Sequence, residues 1–84
     1  MPLASTAMPR PTADRALAAV LRRLRTERGL SQEGLAHASG LTTAAYSRIE
    51  GALSSPGWST VRRIAEALHV SMAELGAAVD REEA

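Results

Sequence analysis

The sequence predicts a compact all-α domain of five helices, in which helices 2 and 3 form a helix-turn-helix. Apolar residues recur three and four positions apart along most of the 84-residue chain, which is the period of an amphipathic helix. Residues 32–51, QEGLAHASGLTTAAYSRIEG, contain two such stretches joined at Gly40, and the second begins at a threonine pair that suits a helix N-terminus. A helix-turn-helix commonly places its second helix in the major groove, so this segment predicts DNA binding.

The composition disfavours several classes of protein. The chain has no cysteine, and two lone histidines do not make a metal cluster. No apolar run approaches the roughly 18 residues of a membrane span, and the first residues, MPLASTAMPRPTA, lack the apolar block of a signal peptide. We therefore expect a cytoplasmic protein with no metal, no cofactor and no membrane partner. A core this small stabilises a fold by only a few kcal/mol, which favours association with a second copy.

The formal net charge of +1 conceals an asymmetry along the chain. All ten basic residues are arginine, and nine of them lie within residues 1–63, where four acidic residues leave a balance of +5. Residues 64–84 carry one arginine against five acidic residues, a balance of −4. This distribution suits a protein that places its basic face against phosphate. Ordinary solvated charge is the alternative interpretation.

The first helix follows a short N-terminal arm. Residues 1–11 contain three prolines and no helical period, which predicts a flexible arm, and Arg10 within it is a candidate for a minor-groove contact. Helix 1 is expected from Thr12 or Asp14 to Arg28. Its inward face consists of apolar residues spaced by three, one and three positions, namely Leu17, Val20, Leu21 and Leu24.

The helix-turn-helix segment carries its own start and turn signals. Ser31 is expected to cap helix 2, which Gly34 weakens by about 1 kcal/mol relative to alanine. Gly40 permits the left-handed backbone that turns the chain into helix 3. Helix 3 is expected from a Thr42 cap to about Gly51, with an inward side formed by Leu41, Tyr46 and Ile49. Its opposite side is small and polar with one long donor, and comprises Thr43, Ala44, Ser47 and Arg48.

Two further helices follow a loop at residues 51–57. The stripe expected to be buried on helix 4, with its tryptophan in the core rather than at an interface, is Trp58, Val61, Ile64, Ala65 and Leu68. Ser71 and Glu74 form a capping box that begins helix 5. This helix is expected to end near Asp80, so that the folded domain spans residues 12–80 before a frayed acidic tail at 81–84. The expected dimer face on it comprises Leu75, Ala78 and Val79.

Two segments of the chain carry a family resemblance. RRLRTERGLSQEGLAHASGLTTAAYSRIE and TVRRIAEALHVSMAEL resemble the phage-repressor-like helix-turn-helix regulators, also called the XRE or Cro/C1 type. The likeness covers residues 16–79 and includes GLSQ, LAxxSG, SRIE and AEALxVS in register. It implies a lambda-repressor-like DNA-binding domain that binds a near-palindromic operator as a homodimer and regulates transcription, as a repressor.

The resemblance implies roles for individual residues. Gln32 lies where these regulators hold a DNA phosphate, and Thr42 lies near both backbone and bases. Arg25 and Glu50 match a salt bridge between helix 1 and the end of helix 3, so we interpret this pair as structural. The positions that approach base edges are Thr43, Ala44, Ser47 and Arg48. Further phosphate candidates, on the basis of their charge, are Arg22, Arg28 and Arg62.

The chain departs from the family pattern after Glu50. These regulators often have an asparagine or basic residue, then glycine, and basic side chains in the following loop, whereas this chain has Gly51, Ala52, Leu53 and serines. Phosphate contacts through this loop are therefore expected to be weaker, or to come from backbone N–H groups and the serines.

Other functions fit the sequence less well. An enzyme is disfavoured because His37 and His69 are isolated and neither a catalytic triad nor a phosphate-binding glycine loop is recognisable. The main alternative is an antitoxin or other protein-interaction module of the same fold, which binds a partner protein through its acidic C-terminal end or the loop at Ala52 and Leu53. Arg48 also has an alternative role, a phosphate contact that carries no base information.

Overall fold

The computed structural model describes residues 14–83, and within them it contains five α-helices and no β-strand. In chain order the helices are α1 (Arg15–Glu27), α2 (Gln32–Ala38), α3 (Thr43–Glu50), α4 (Trp58–Ala67) and α5 (Met72–Glu83). The predicted all-α fold of five helices is therefore confirmed. The expected arm at residues 1–11, with Arg10, and a helix start at Thr12 fall outside the described residues.

The helices enclose one apolar core. α1 packs against α5 and α3, while α2 packs against α3 and α4. Each helix contributes the apolar side chains that its period places on one face, because removing apolar surface from water is favourable. The apolar residues with no exposed surface are Val20, Leu21, Leu35, Ala36, Tyr46, Ile64 and Leu68. None of the described helices combines the length and the apolar character that crossing a membrane requires.

Side-chain caps determine where four of the helices begin. Asp14, Ser31 and Thr42 each accept a hydrogen bond from the backbone N–H three residues later, at 2.9, 2.9 and 3.0 Å. Ser71 N–H donates to Glu74 Oε1 at 2.8 Å, and Glu74 N–H donates to Ser71 Oγ at 3.0 Å. These bonds satisfy N–H groups that a helix leaves unpaired at its start. The bond from the Ser71 backbone also lowers the pKa of Glu74.

Two glycines turn the chain between the first three helices. Gly29 and Gly40 have φ values of 67° and 73°, in the left-handed region that side chains with a Cβ disfavour. After Gly40 the Leu41 N–H donates to the Ala36 carbonyl at 2.8 Å, which closes the end of α2. Ala36 itself is fully buried, so a small side chain lies where α2 and α3 come together. These turns fix the direction in which α3 leaves the core.

Trp58 contradicts the prediction that it packs into the core. It is the first residue of α4, and its side chain is 67% exposed. Burial on α4 begins one turn later, with Val61 half-buried and Ile64 fully buried. The helices that pack against α4 are α2 and α5, and its later turns make these contacts. The apolar period was therefore correct for α4, but the core does not reach its first turn.

α5 differs from its prediction in two ways. It continues to Glu83 rather than ending near Asp80, and Glu82 Oε1 accepts a hydrogen bond from Arg23 NH1 of α1 at 3.3 Å. Leu75 and Ala78 are only 3% and 6% exposed, because they pack against α1 in the core of their own chain. This burial leaves the two side chains little surface to offer a second copy, and the expected dimer face stays a prediction.

Ala52 holds a backbone conformation that alanine rarely adopts. Its φ is 58°. The phage-repressor-like regulators that the sequence resembles often have glycine at this position. Holding a residue with a Cβ in the left-handed region costs about 1–2 kcal/mol. Glycine avoids this strain, but it makes the unfolded chain more flexible, which offsets part of the gain in stability. We expect Ala52→Gly to raise the free energy of unfolding by about 0.5–1 kcal/mol, measured by urea denaturation.

The control for this prediction is Ala77→Gly, at an exposed helical position of α5. That substitution is expected to lower the free energy of unfolding by about 1 kcal/mol, because glycine weakens a helix interior. Two losses of equal size would contradict the assignment of strain to residue 52.

Candidate nucleic-acid interface

The α3 helix has a buried side and an exposed side. Tyr46 is fully buried and Ile49 is 6% exposed, so these two residues hold the helix on the core. On the opposite side Thr43, Ala44 and Arg48 are exposed, and Ser47 is half-buried next to α1. The only hydrogen bond from the Arg48 side chain within residues 14–83 is a long one, 3.5 Å from NH2 to the Leu53 carbonyl. The outer side of α3 is therefore a short polar surface that is accessible to a partner.

A buried polar network anchors α3 to α1 and α2. Arg25 forms a two-pronged ion pair with Glu50, with its Nε 2.8 Å from Oε2 and its NH2 2.8 Å from Oε1. Tyr46 OH donates to Oε2 at 2.6 Å, and Gln32 Nε2 donates to Oε1 at 3.0 Å. The Glu50 side chain is 2% exposed and that of Arg25 is 13% exposed. One carboxylate thus joins three helices.

The network keeps the Glu50 carboxylate ionised. Burial raises the pKa of Glu50, but hydrogen bonds from Arg25, Tyr46 and Gln32 outweigh burial and lower this pKa to about 2. Burial and the same carboxylate raise the pKa of the Tyr46 hydroxyl, which therefore stays neutral and donates. The hydrogen bond to Glu50 also raises the pKa of Arg25. The network is stable in this protonation state across the ordinary pH range.

The network also sets what Gln32 presents to a partner. Gln32 is the first residue of α2 and is half-buried. Because Glu50 Oε1 is an ionised acceptor, the amide must turn its Nε2 toward it. The second hydrogen of Nε2 remains available for another acceptor. Gln32 is therefore a donor held in place at the N-terminus of α2.

A cleft of about 570 Å³ lies beside this network, between α1 and the end of α3. Arg22 lines it, with a side chain 73% exposed and Nε 3.9 Å from Glu50 Oε1. Arg15 also lines it, which the sequence reasoning missed. The seven-residue spacing of Arg15 and Arg22 corresponds to two helical turns, a signal that could have placed both on one face of α1. The two arginines form a basic rim close to Gln32.

The other residues predicted to contact phosphate do not line this cleft. Thr42 is exposed at the start of α3, where its Oγ1 caps the helix. Arg28 forms hydrogen bonds within the domain: its Nε donates to the Leu68 carbonyl at 2.8 Å and its NH1 donates to the Leu24 carbonyl at 3.1 Å. The structure therefore gives Arg28 a role in joining α1 to the end of α4, and its phosphate contact stays a prediction.

The α4 arginines also lie in different surroundings. Arg62 is exposed, and its phosphate contact stays a prediction. Its neighbour Arg63 lies at the helix-turn-helix, since its NH1 is 3.6 Å from the position that a Cβ would take on Gly40. Sequence reasoning missed Arg63, because which residue of an adjacent arginine pair faces α2 depends on the packing of α4.

Comparison with known proteins identifies the family to which this chain is similar. The sequence model of a helix-turn-helix domain family matches residues 16–78 of this chain. No curated protein sequence matches the chain. The clp gene regulator ClgR from Corynebacterium glutamicum is 26% identical, with a TM-score of 0.79, over 93% of this chain and 100% of the other.

Two further solved structures are similar. A point mutant of the restriction-modification controller protein C.Esp1396I is 28% identical, with a TM-score of 0.79, over 82% of this chain and 90% of the other. An HTH_3 family transcriptional regulator from Vibrio cholerae is 31% identical, with a TM-score of 0.74, over 84% of this chain but only 39% of the other. All three are described as regulators or controllers.

Proposed function

The chain belongs to the helix-turn-helix domain family, as an XRE-like regulator, and we propose that it binds double-stranded DNA as a homodimer and represses transcription. One observation carries the proposal. The outer side of α3 exposes Thr43, Ala44 and Arg48, while the Glu50 network fixes the inner side of the same helix. A helix that is rigidly held and polar outward is suited to enter a major groove about 12 Å wide.

Each part of the interface has a distinct task in this proposal. Arg48 donates to O6 and N7 of a guanine, and Thr43 and Ala44 pack against thymine methyl groups. Gln32 and Thr42 hold phosphates on one strand, and the arginines that neutralise phosphate charge are Arg15, Arg22 and Arg63, with exposed Arg62 as a further candidate. Two copies place their α3 helices about 34 Å apart in successive major grooves. Repression follows when the bound dimer covers a promoter.

Selection from a random pool of duplex DNA tests the proposal directly. The purified protein is expected to enrich a near-palindrome whose half-sites lie about 10 base pairs apart, because two α3 helices related by a two-fold axis read the same half-site. Placing the selected site over a reporter promoter then measures repression. A pool that is not enriched after repeated rounds would overturn sequence-specific binding.

Arg48→Ala tests whether this side chain reads a base. We expect binding to the selected site to weaken by about 1–3 kcal/mol, or roughly 5- to 150-fold, while binding to a scrambled duplex changes much less. Fluorescence anisotropy with labelled duplexes measures both affinities. Arg22→Ala is the matched control, because the loss of a phosphate contact weakens binding to both duplexes equally. Equal losses for Arg48→Ala would assign it to a phosphate instead.

A further inference from the structure

The cleft between α1 and the end of α3, which we call the α1–α3 cleft, has an apolar wall. Small or aliphatic side chains form this wall, namely Ala18, Ala19, Ala52 and Leu53. Leu53 is 66% exposed, and its backbone is held in place because its N–H donates to the Arg48 carbonyl at 2.8 Å. An exposed aliphatic side chain held beside a cavity is suited to contact a bound apolar group.

The rest of the cleft lining is polar and positively charged. Arg15 and Arg22 both line the cleft, and the side chain of Arg22 is 73% exposed. Glu50 also lines it, but its carboxylate is only 2% exposed and is paired with Arg25 at 2.8 Å. Because Arg25 compensates the charge of Glu50, the two rim arginines leave the cleft with a net charge of +2. The cleft therefore attracts an anion.

The size of the cleft and its mixed lining suit a ligand larger than a phosphate group. Its volume of about 570 Å³ lies within the range of about 300–1,000 Å³ that is usual for small-molecule sites. Gln32 adds a donor at its edge, because one hydrogen of Nε2 remains available beside the bond to Glu50. A DNA phosphate is polar on every side, so it matches the arginines and Gln32 but leaves the apolar wall without a partner.

We propose that the α1–α3 cleft binds a small organic anion, with an apolar body and one carboxylate or phosphate group, and that this ligand competes with DNA. The apolar body lies against Ala19 and Leu53, and the anionic group accepts hydrogen bonds from Arg22 and Gln32. The competition rests on the proposed function, because Arg22 and Gln32 hold DNA phosphates in that complex. Binding of the ligand therefore releases the DNA.

Fluorescence of anilinonaphthalene sulfonate tests the cleft in the absence of DNA. This probe joins aromatic rings to one anionic group, and phenylnaphthylamine has the same rings without the charge. We expect the full chain to bind the anionic probe at one site and the neutral probe more weakly. Octanoate or octyl phosphate is expected to displace the anionic probe, and the better of the two identifies the preferred anionic group. Inorganic phosphate and octanol, which each lack one half of the ligand, are expected to displace it poorly. Failure of both octyl anions to displace the probe would overturn the proposal.

Two variants with matched controls locate the site. Arg22→Gln is expected to weaken binding of the anionic probe up to about fivefold and to leave the neutral probe unchanged, because it removes an exposed charge. Ala19→Leu is expected to weaken both probes about tenfold, because it adds bulk at the apolar wall. The controls are Arg81→Gln and Ala77→Leu, at exposed positions that line a separate groove between α1 and α5. Equal losses in the control pair would overturn the assignment to the α1–α3 cleft.

A gel mobility shift of the selected duplex tests the competition. With the better octyl anion at ten times its dissociation constant, the apparent dissociation constant for DNA is expected to rise about tenfold. Octanol and inorganic phosphate at the same concentration are the controls, and DNA affinity that is unchanged by a bound octyl anion would overturn the competition. A chain that binds the probe but no DNA would refute the proposed function and the competition while supporting the ligand site. A chain that binds DNA but no probe would refute only the ligand site.

Discussion

Replacing Glu50 by glutamine is expected to lower the free energy of unfolding by about 3–5 kcal/mol, which multiplies the unfolded fraction by a hundred or more. The substitution keeps the shape of the side chain but removes its charge. Arg25, only 13% exposed, would then hold a buried positive charge without its partner. Tyr46 would lose an ionised acceptor at 2.6 Å. Urea denaturation followed by far-UV circular dichroism measures the loss.

The same substitution at Glu27 provides the control. The Glu27 side chain is 57% exposed, and its Oε2 lies 3.9 Å from Arg23 Nε. A solvent-exposed pair of this kind contributes at most about 0.5 kcal/mol, so Glu27→Gln is expected to leave stability nearly unchanged. Similar small losses at both positions would show that the Glu50 network does not stabilise the fold.

The depressed pKa of Glu50 gives this prediction a dependence on pH. Its folded pKa of about 2 lies below the ordinary value of 4.5, so its contribution to stability is present above about pH 4.5. The contribution is lost as the pH falls from 4.5 toward 2, because the unfolded chain binds a proton first. The stability of Glu50→Gln should therefore fall less than that of the natural chain over this range, and parallel curves would contradict the assignment.

DNA binding is expected to weaken about a thousandfold when the salt concentration rises from 50 to 200 mM. Arg15, Arg22 and Arg63 supply three cationic contacts per copy in the proposed complex, and a dimer with six phosphate contacts releases about that many counterions. Anisotropy titrations at several salt concentrations give the slope of log affinity against log salt. A flat response would contradict phosphate binding as the source of affinity.

Substitution of single arginines tests which residues produce this slope. Arg22→Gln removes one contact from each copy, so the slope is expected to become less steep by about two. Arg81→Gln is the control, because Arg81 is exposed near the end of α5 and has no proposed phosphate contact. An equal change of slope in both variants would indicate that overall charge, rather than the basic rim of the cleft, determines binding.

Local signals made the helix starts predictable from the sequence. Ser31 caps α2 through the N–H of Gly34, and Thr42 caps α3 in the same way, so each signal and its partner lie three residues apart. Gly40 likewise acts on its own backbone. These features depend only on residues that are close together along the chain, so their spacing in the sequence is enough to predict them.

The features that the sequence did not predict depend on contacts between residues that are distant along the chain. Arg28 finds its acceptor at Leu68, and the charge of an arginine says nothing about which carbonyl it will meet. Trp58 has the correct helical period, but its burial depends on how far the neighbouring helices extend along α4. The sequence predicts separate partners for Gln32 and Glu50, a phosphate and Arg25, and only packing brings Gln32 Nε2 to 3.0 Å from Glu50 Oε1.

The eight residues of α3 divide into two sets whose contacts constrain them differently. Tyr46 and Glu50 on the inner side take part in a network whose loss is expected to cost about 3–5 kcal/mol of stability. On the outer side, the side chains of Thr43 and Ala44 form no hydrogen bond within the described residues, and Arg48 forms only one long bond. Mutation can therefore exchange the outer set without damaging the scaffold. In the proposed complex, a few substitutions on the outer side can therefore change the preferred DNA site while the architecture stays constant.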